Sequence, residues 1–440
     1  MSTSSPSPDA DVALYLHAEL LPNIRQITLY ISLQPNPALN AIHPKIHISN
    51  SCKSITVSLP EPFHYVTETI ELPARVSDTT RLALSTNFAR NTPPNLTGVS
   101  YEHSFRMQID PTDPVLTPKD TIMDDYVPWT AADMSPLTRI RCRTCEAPFL
   151  STPSARNDEH GEQDDSPGWE WKDLPSGNWA EMMDFWHCHK PDPQEDKPMS
   201  EVTAVRSSED KTAQLKGYGA TSRIEATPGI VFIDVATFLL AQSDCVGLQK
   251  TIEEGQEESE LPRTLECANC KTITGLEDPS IGGWRCWKSN VSLNTNGSAA
   301  IQWQSHSDEL IIAAQLLELI ERESTRRFLV HNKRKNGLLL WVFNPDLRYS
   351  TSSKGRSINS QQAMKVFFQT TEDVDSILSR DTDLSSPLSM EELELPSIVL
   401  QTLTRALLKS HYMLPLSARS FNEWKIGLLN RYSRDDSSSV

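Results

Sequence analysis

A chain of 440 residues is long enough for two or three domains. Its 38% hydrophobic and 22% charged residues make a polar balance for a globular protein, so part of the length is expected to stay outside a packed core. A formal net charge of -17 argues against a general nucleic-acid or anionic-membrane surface.

Residues 1–11 read as a Ser/Pro-rich disordered tail with neither a basic start nor an apolar core, so no secretory signal is expected. Residues 12–134 follow with a strand-like pattern. Ile27, Leu29 and Ile31 alternate, as do Ile46 and Ile48, then Ile55, Val57 and Leu59, with Pro and Asn clusters between the runs. This predicts a β-rich N-terminal domain of antiparallel strands.

Residues 135–290 hold the paired cysteines and three polar inserts, near 152–168, 190–216 and 249–262. Their Asp, Glu and Pro content buries too little apolar surface to offset ordering entropy, so loops or disorder are expected there. Between the first two inserts, residues 178–187 read as a helix, with Trp179, Met182, Met183 and Trp186 on one face. A strand is expected over 230–233. The apolar run 229–241 is too short for a membrane span and carries Asp234, so no membrane contact is expected.

Residues 291–432 read as a smaller α+β region, before a tail at 433–440. A helix over 308–323 has Ser307 as N-cap and a stripe of Leu310, Ala313, Ala314, Leu317 and Ile320. Strands 328–330 and 338–343 form a hairpin and flank a loop containing Asn336-Gly337, a strong turn signal. A strand over 364–368 follows. Then comes a helix from Pro396 to about 410, with Val399, Leu403, Ala406 and Leu407 facing the core, and a last strand through Trp424, Ile426 and Leu428. The fold class is therefore α+β: a β-rich N-terminal domain, a zinc-knuckle middle and a smaller C-terminal region.

Two knuckles, Cys142-x-x-Cys145 and Cys267-x-x-Cys270, carry metal-ligand spacing. Without secretion such pairs favour a metal over disulfides. Together they predict one four-cysteine structural zinc site on adjacent strands, in the manner of a zinc ribbon. The gap between them, residues 146–266, is long, and ordinary core thiols are the alternative, as is a site mixing one knuckle with Cys188 and His189. A second cluster runs Trp186, His187, Cys188, His189. Cys188 is a candidate thiol nucleophile with His187 or His189 raising its thiolate fraction, a metal ligand, or a thiol packed beneath Trp186. Cys286, between Trp284 and Trp287, reads as core, and Cys52 and Cys245 are assigned no role. The basic loop Lys333, Arg334, Lys335 reads as a solvated hairpin tip, with an acidic partner as the alternative. There is no Gly-rich phosphate loop, Gly-x-Ser-x-Gly or His-Glu-x-x-His.

The string Leu-Pro-Ser-Gly-Asn-Trp at 174–179, followed by Trp186, Cys188-His189 and Pro191-Asp192-Pro193, resembles the HECT-like ubiquitin ligases that bind ubiquitin-conjugating enzymes. Both cysteine pairs, the string Leu-Leu-Leu-Trp-Val-Phe-Asn-Pro at 338–345 and the string Leu-Pro-Leu-Ser-Ala-Arg-Ser-Phe at 414–421 fit the same resemblance, which spans about 140–430. It implies a ubiquitin-protein ligase of cytoplasm and nucleus, with a charged ubiquitin-conjugating enzyme, ubiquitin and a protein substrate as partners. It also implies a link to the endonuclease of pre-mRNA cleavage and polyadenylation. The alternative function is thus a non-catalytic protein whose Trp-His-Cys-His segment engages that metal-dependent nuclease as assembly factor or inhibitor. Where the family often shows Cys-Cys-His-Pro, this chain has His187, Cys188, His189 and Lys190. Cys188 and His189 are the candidate catalytic residues, and Trp179, Trp186, His187, Cys188 and His189 the candidate partner contacts. No cysteine follows Cys286, so a thioester needs Cys188 or Cys286.

Overall fold

The computed structural model describes residues 13–33, 44–87, 102–114, 123–151, 168–174, 225–251, 263–295, 302–352, 359–381 and 390–434. The tail 1–11, most of the three inserts and the helix expected over 178–187 lie outside these residues. The chain forms two units, residues 1–121 with 325–431, and residues 122–324 with 432–440.

The first unit begins with β1 (Leu14–Leu21) and β2 (Gln26–Leu33), an antiparallel hairpin. Strand alternation puts Leu14, Leu16, Ala18 and Leu20 on one face with Ile27, Leu29 and Ile31 beside them, all buried. A three-stranded sheet of β3 (Lys45–Ile48), β4 (Ser54–Ser58) and β5 (Thr67–Glu71) supplies Ile55, Val57 and Ile70 to the same core. Helix α1 (Asp78–Asn87) and β6 (Glu102–Gln108) follow, and β6 pairs with β2.

The second unit opens with the short helix α2 (Met123–Tyr126) and β7 (Arg139–Cys142). Next come β8 (Glu170–Asp173), β9 (Ile230–Ile233), β10 (Thr237–Ala241) and β11 (Leu248–Lys250). They are followed by β12 (Thr264–Cys267), β13 (Ile273–Asp278), β14 (Gly283–Trp287) and β15 (Val291–Asn294). Seven of these form one sheet in the order β11-β12-β13-β14-β10-β9-β8, and β15 pairs with β7. The core gathers Phe149, Phe238, Leu240, Leu265, Trp284 and Cys286. Gln249 and Lys250, expected at the start of an insert, belong instead to β11, where the ladder to β12 offsets their polarity. Helix α3 (Asp308–Glu323) has the expected bounds, but its buried side is broader, adding Ile311, Ile312 and Leu316 to Ala313, Ala314 and Leu317.

The chain then returns to the first unit with β16 (Arg327–Asn332), β17 (Asn336–Thr351) and β18 (Gln361–Thr371). Helix α4 (Val374–Asp381), β19 (Glu391–Glu394), helix α5 (Ser397–Met413), β20 (Ser420–Phe421) and β21 (Trp424–Asn430) complete it. The sheet order is β20-β21-β18-β17-β1-β2-β6, with β16 also on β17 and β19 beside β16. The linear division into 12–134, 135–290 and 291–432 therefore does not describe how the strands pair. Strand β17 is the reason. Its first half pairs with β16, its second half with β1, and its register to β18 shifts around Asn344 and Leu347, where Pro345 needs no ladder hydrogen bond. The hairpin turns at the expected basic tip, where Lys333 and Arg334 take the left-handed backbone, while Asn336 and Gly337, read as part of the loop, pair with Asn332 and His331 inside the ladder. Gly337 is small because a Cβ there would lie 2.9 Å from the Val374 side chain. Pro396 is the N-cap of α5 rather than its first residue.

Candidate metal centre

Strand β7 ends on Cys142 and β12 ends on Cys267, so each ladder delivers one cysteine to a turn. The two turns are built alike. The Glu146 amide donates to the Cys142 carbonyl at 3.0 Å, and the Lys271 amide donates to the Cys267 carbonyl at 3.0 Å. The Cys142 amide donates to Ala147 O at 2.8 Å, and that of Cys267 to Thr272 O at 2.9 Å. Glu146 and Lys271 both sit in the left-handed region, at φ 64 and 61. A non-glycine residue meets a steric cost there, and the chain accepts it twice at the same point of the same motif.

The four sulfurs converge. All lie within 4.8 Å of one another, with Cys142 Sγ 3.7 Å from Cys270 Sγ and Cys145 Sγ 3.5 Å from Cys267 Sγ. A tetrahedron with metal–sulfur bonds of about 2.3 Å has edges of about 3.8 Å, so the donor set fits one tetrahedral metal ion. Cys142 and Cys267 are buried, Cys145 and Cys270 half-buried. Burial pushes the Cys142 thiol up to about 12 and raises that of Cys267. Against this, the Asn269 side chain and the Ala147 amide bring Cys145 down to about 6, and the Thr272 hydroxyl and amide lower Cys270. The two knuckles together thus aim donors at the sulfurs, Asn269 of the second reaching Cys145 of the first, the arrangement that supports thiolates as metal ligands.

The surrounding contacts hold the two turns together. The Val246 amide donates to Phe149 O at 3.0 Å and that of Ala268 to Gly247 O at 2.9 Å. A Cβ on Gly247 would run into the Pro148 carbonyl, so only glycine permits this approach. The knuckles are not on adjacent strands, as expected of a ribbon. Cys142 belongs to the β7–β15 pair and Cys267 to the seven-stranded sheet, so the cluster ties two sheets.

The other cysteines are accounted for singly. Cys286 is buried core as expected, with its thiol raised well above the usual range by burial. Burial, with Asp244, pushes Cys245 up to about 12. Cys52 is fully buried in the first unit. Trp179, Trp186, His187, Cys188 and His189 lie outside the described residues. The chain leaves these at Leu174, just after β8, and returns at Glu225 before β9, the strand parallel to β8.

Two features were not read from the sequence. Lys288 is fully buried and donates to Pro128 O at 2.8 Å and Trp129 O at 2.9 Å. Burial takes it down to about 7 despite Asp234, Asp173 and Asp133. Trp129 itself is left-handed at φ 60 and stacks edge-on against His306 at 4.4 Å. No spacing announces a single buried lysine. In the first unit, Trp341 and Phe343 of β17 meet Phe367, Phe421 and Trp424 in one aromatic cluster. This brings together the 338–345 and 414–421 strings, which are distant in sequence.

Comparison with known proteins decides the family. Residues 19–426 match the family model described as HECT-like ubiquitin-conjugating enzyme (E2)-binding. The chain belongs to this family. Among relatives of this HECT-like E2-binding chain, an uncharacterized protein of Schizosaccharomyces pombe is 25% identical over 378 residues, covering 83% of this chain and 94% of the relative. An uncharacterized protein of Saccharomyces cerevisiae is 26% identical, covering 58% of this chain and 61% of the relative. A Mus musculus protein named as an E3 ubiquitin-protein ligase is 27% identical over 278 residues, covering 58% of this chain and 64% of the mouse protein. No solved structure matches. Membership of the HECT-like E2-binding family places the chain in the ubiquitin pathway.

Proposed function

We propose that this chain is a ubiquitin-protein ligase that binds a ubiquitin-charged conjugating enzyme and promotes transfer of ubiquitin to a substrate lysine. The family match over residues 19–426 carries the reading, and the mouse and bovine relatives named as E3 ubiquitin-protein ligases support it. The four-cysteine cluster holds one structural zinc in this reading. With four thiolates and no open position it does no chemistry; it clamps the core of the second unit.

The acceptor thiol is Cys188. Cys286 is 1% exposed and Cys52 is fully buried, so neither is within reach of a partner's thioester. Cys245 is raised by burial, which leaves little thiolate at neutral pH. Cys188 stands between His187 and His189 in sequence. Its thiolate attacks the thioester carbonyl, and the conjugating enzyme's cysteine leaves as thiolate. A substrate amine then attacks the new thioester and expels Cys188, its proton passing to His189. Trp179 and Trp186 offer apolar contact to the partner.

The test is a single-turnover reaction with a charged conjugating enzyme, resolved on non-reducing gels. A thiol-sensitive ubiquitin adduct is expected on wild type and not on Cys188→Ser. An adduct that survives this substitution moves the nucleophile elsewhere. Equal acceleration by both proteins without any adduct reduces the role to that of an adaptor.

A further inference from the structure

A groove of about 910 Å³ lies in the first unit between helix α5, the base of the β16–β17 hairpin and the end of β18. Gln401, Arg405 and Lys409 line one wall, four residues apart on a single helical row, with Tyr412 at its end. The opposite wall presents Asn332, Asn336 and Thr370. The core side of the same helix is formed by Val399, Leu400, Leu403, Leu407 and Ser410, of which only Leu400 also lines the groove, so packing does not require cations at Arg405 and Lys409.

The charges here run against the rest of the chain. The protein carries 58 acidic and 41 basic residues, so an unpaired cation has many potential partners. Yet Arg405 and Lys409 form no ion pair among the described residues, and as like charges at i and i+4 they repel each other. The tip of the hairpin joins Asn332 to Asn336 through Lys333, Arg334 and Lys335, all exposed. Arg334 approaches Asp375 at 3.5 Å and Glu392 at 3.9 Å, whereas Lys333 and Lys335 form no ion pair among the described residues. The groove lining therefore holds two cations without an ion pair, Arg405 and Lys409, against one carboxylate, Glu372, and the exposed Lys333 and Lys335 stand on the hairpin that joins two of its other lining residues.

We propose that this groove docks an extended acidic segment of a partner protein. From Gln401 to Tyr412 the helix runs about 16 Å, room for about five residues of extended chain. The amides of Asn336 and Gln401 and the Thr370 hydroxyl suit a peptide backbone, and Arg405 and Lys409 suit its carboxylates. Tyr412, 67% exposed, offers an apolar body to one side chain of the ligand. A long polyanion is disfavoured by the overall charge of -17, whereas a short acidic segment feels mainly the charges within a Debye length of about 8 Å. The inference is independent of the ligase reading, because it concerns binding alone.

The experiment is fluorescence anisotropy on the full chain at physiological ionic strength. The probe is a fluorescein-labelled decapeptide of glutamates around a central leucine, with its glutamine counterpart as control. The glutamate peptide should bind at least about tenfold more tightly than the control, and its affinity should fall with added salt. Arg405→Glu with Lys409→Glu should weaken it about tenfold or more, with the milder Arg405→Gln and Lys409→Gln pair falling between, while thermal unfolding stays unchanged because neither side chain belongs to the buried face of α5. Unchanged affinity in these variants overturns the proposal. So does preferential binding of a labelled uridine dodecamer at the same residues. A large gain in peptide affinity on deleting residues 252–262 would make the chain's own acidic segment the occupant and overturn it as well.

Discussion

Glu146 and Lys271 each hold a left-handed turn that glycine adopts without steric cost. What compensates them is the same for both: an amide bond back to the first cysteine of the knuckle and donors aimed at the sulfurs. If the cluster holds zinc, protein purified without chelator contains about one zinc per chain by elemental analysis. Cys267→Ser should abolish it and lower the unfolding temperature of the second unit, while Cys286→Ser should keep the metal. Lys288 supplies a pH signature. Its folded value of about 7 lies below the ordinary 10.5. Between these values the unfolded chain holds a proton that the folded chain lacks, so its contribution to stability grows as pH rises from 7 and is lacking below it. Denaturant unfolding at pH 7 and pH 9 should show a larger gain for wild type than for Lys288→Met, which also orphans two carbonyls at a cost of about 1–3 kcal/mol each. The convergence of the four cysteines was legible in the sequence because CxxC spacing is a chemical requirement of a metal site. Lys288 and Trp129 were not, because a buried amine and a strained backbone depend on partners far along the chain.

At the scale of elements, helices α3 and α5 were legible from their periodicity, since one face of each must be apolar. Strand β17 was not. Its Asn344-Pro345-Asp346 reads as a stop, and only the bulges opposite β18 let the strand run on to Thr351. Asn336-Gly337, read as part of the hairpin loop, belongs to the strand for a related reason. Gly337 answers a close approach by Val374, which local sequence does not reveal. Two substitutions follow from such approaches and pairings. Gly247→Ala should push β11 away from the Pro148 carbonyl and reduce zinc retention measured by dilution into a chelator. Glu19, 3% exposed, sits between Lys365 at 2.7 Å and His17 at 3.1 Å. Burial alone would raise its carboxyl, but Lys365 and His17 outweigh that and bring it down to about 2. Its stabilising effect is present above its ordinary value and is lost as pH falls through about 2. Glu19→Gln leaves Lys365 without its anion and should cost about 3–5 kcal/mol in urea unfolding at neutral pH. A loss below about 1 kcal/mol would show that solvent already screens the pair.

For the whole molecule, the sheet that joins β1 to β17 makes the first unit depend on both ends of the chain. The second unit joins the segment 122–324 to residues 432–440, and it carries the cysteine cluster. Residues 122–324 hold all four cysteines, so on separate expression with residues 432–440 attached they should bind zinc if the full chain does, whereas residues 1–134 alone lack β17, the strand that pairs with β1. Function at this scale rests on ubiquitin transfer. The most direct measurement is the rate at which a panel of ubiquitin-charged conjugating enzymes discharges to lysine with and without the full chain. Accelerated discharge by at least one enzyme, lost on Cys188→Ser in a protein that keeps its metal and its unfolding temperature, is the expected result. Discharge at the uncatalysed rate across the panel, with a folded and metal-loaded chain present, would contradict the ligase assignment.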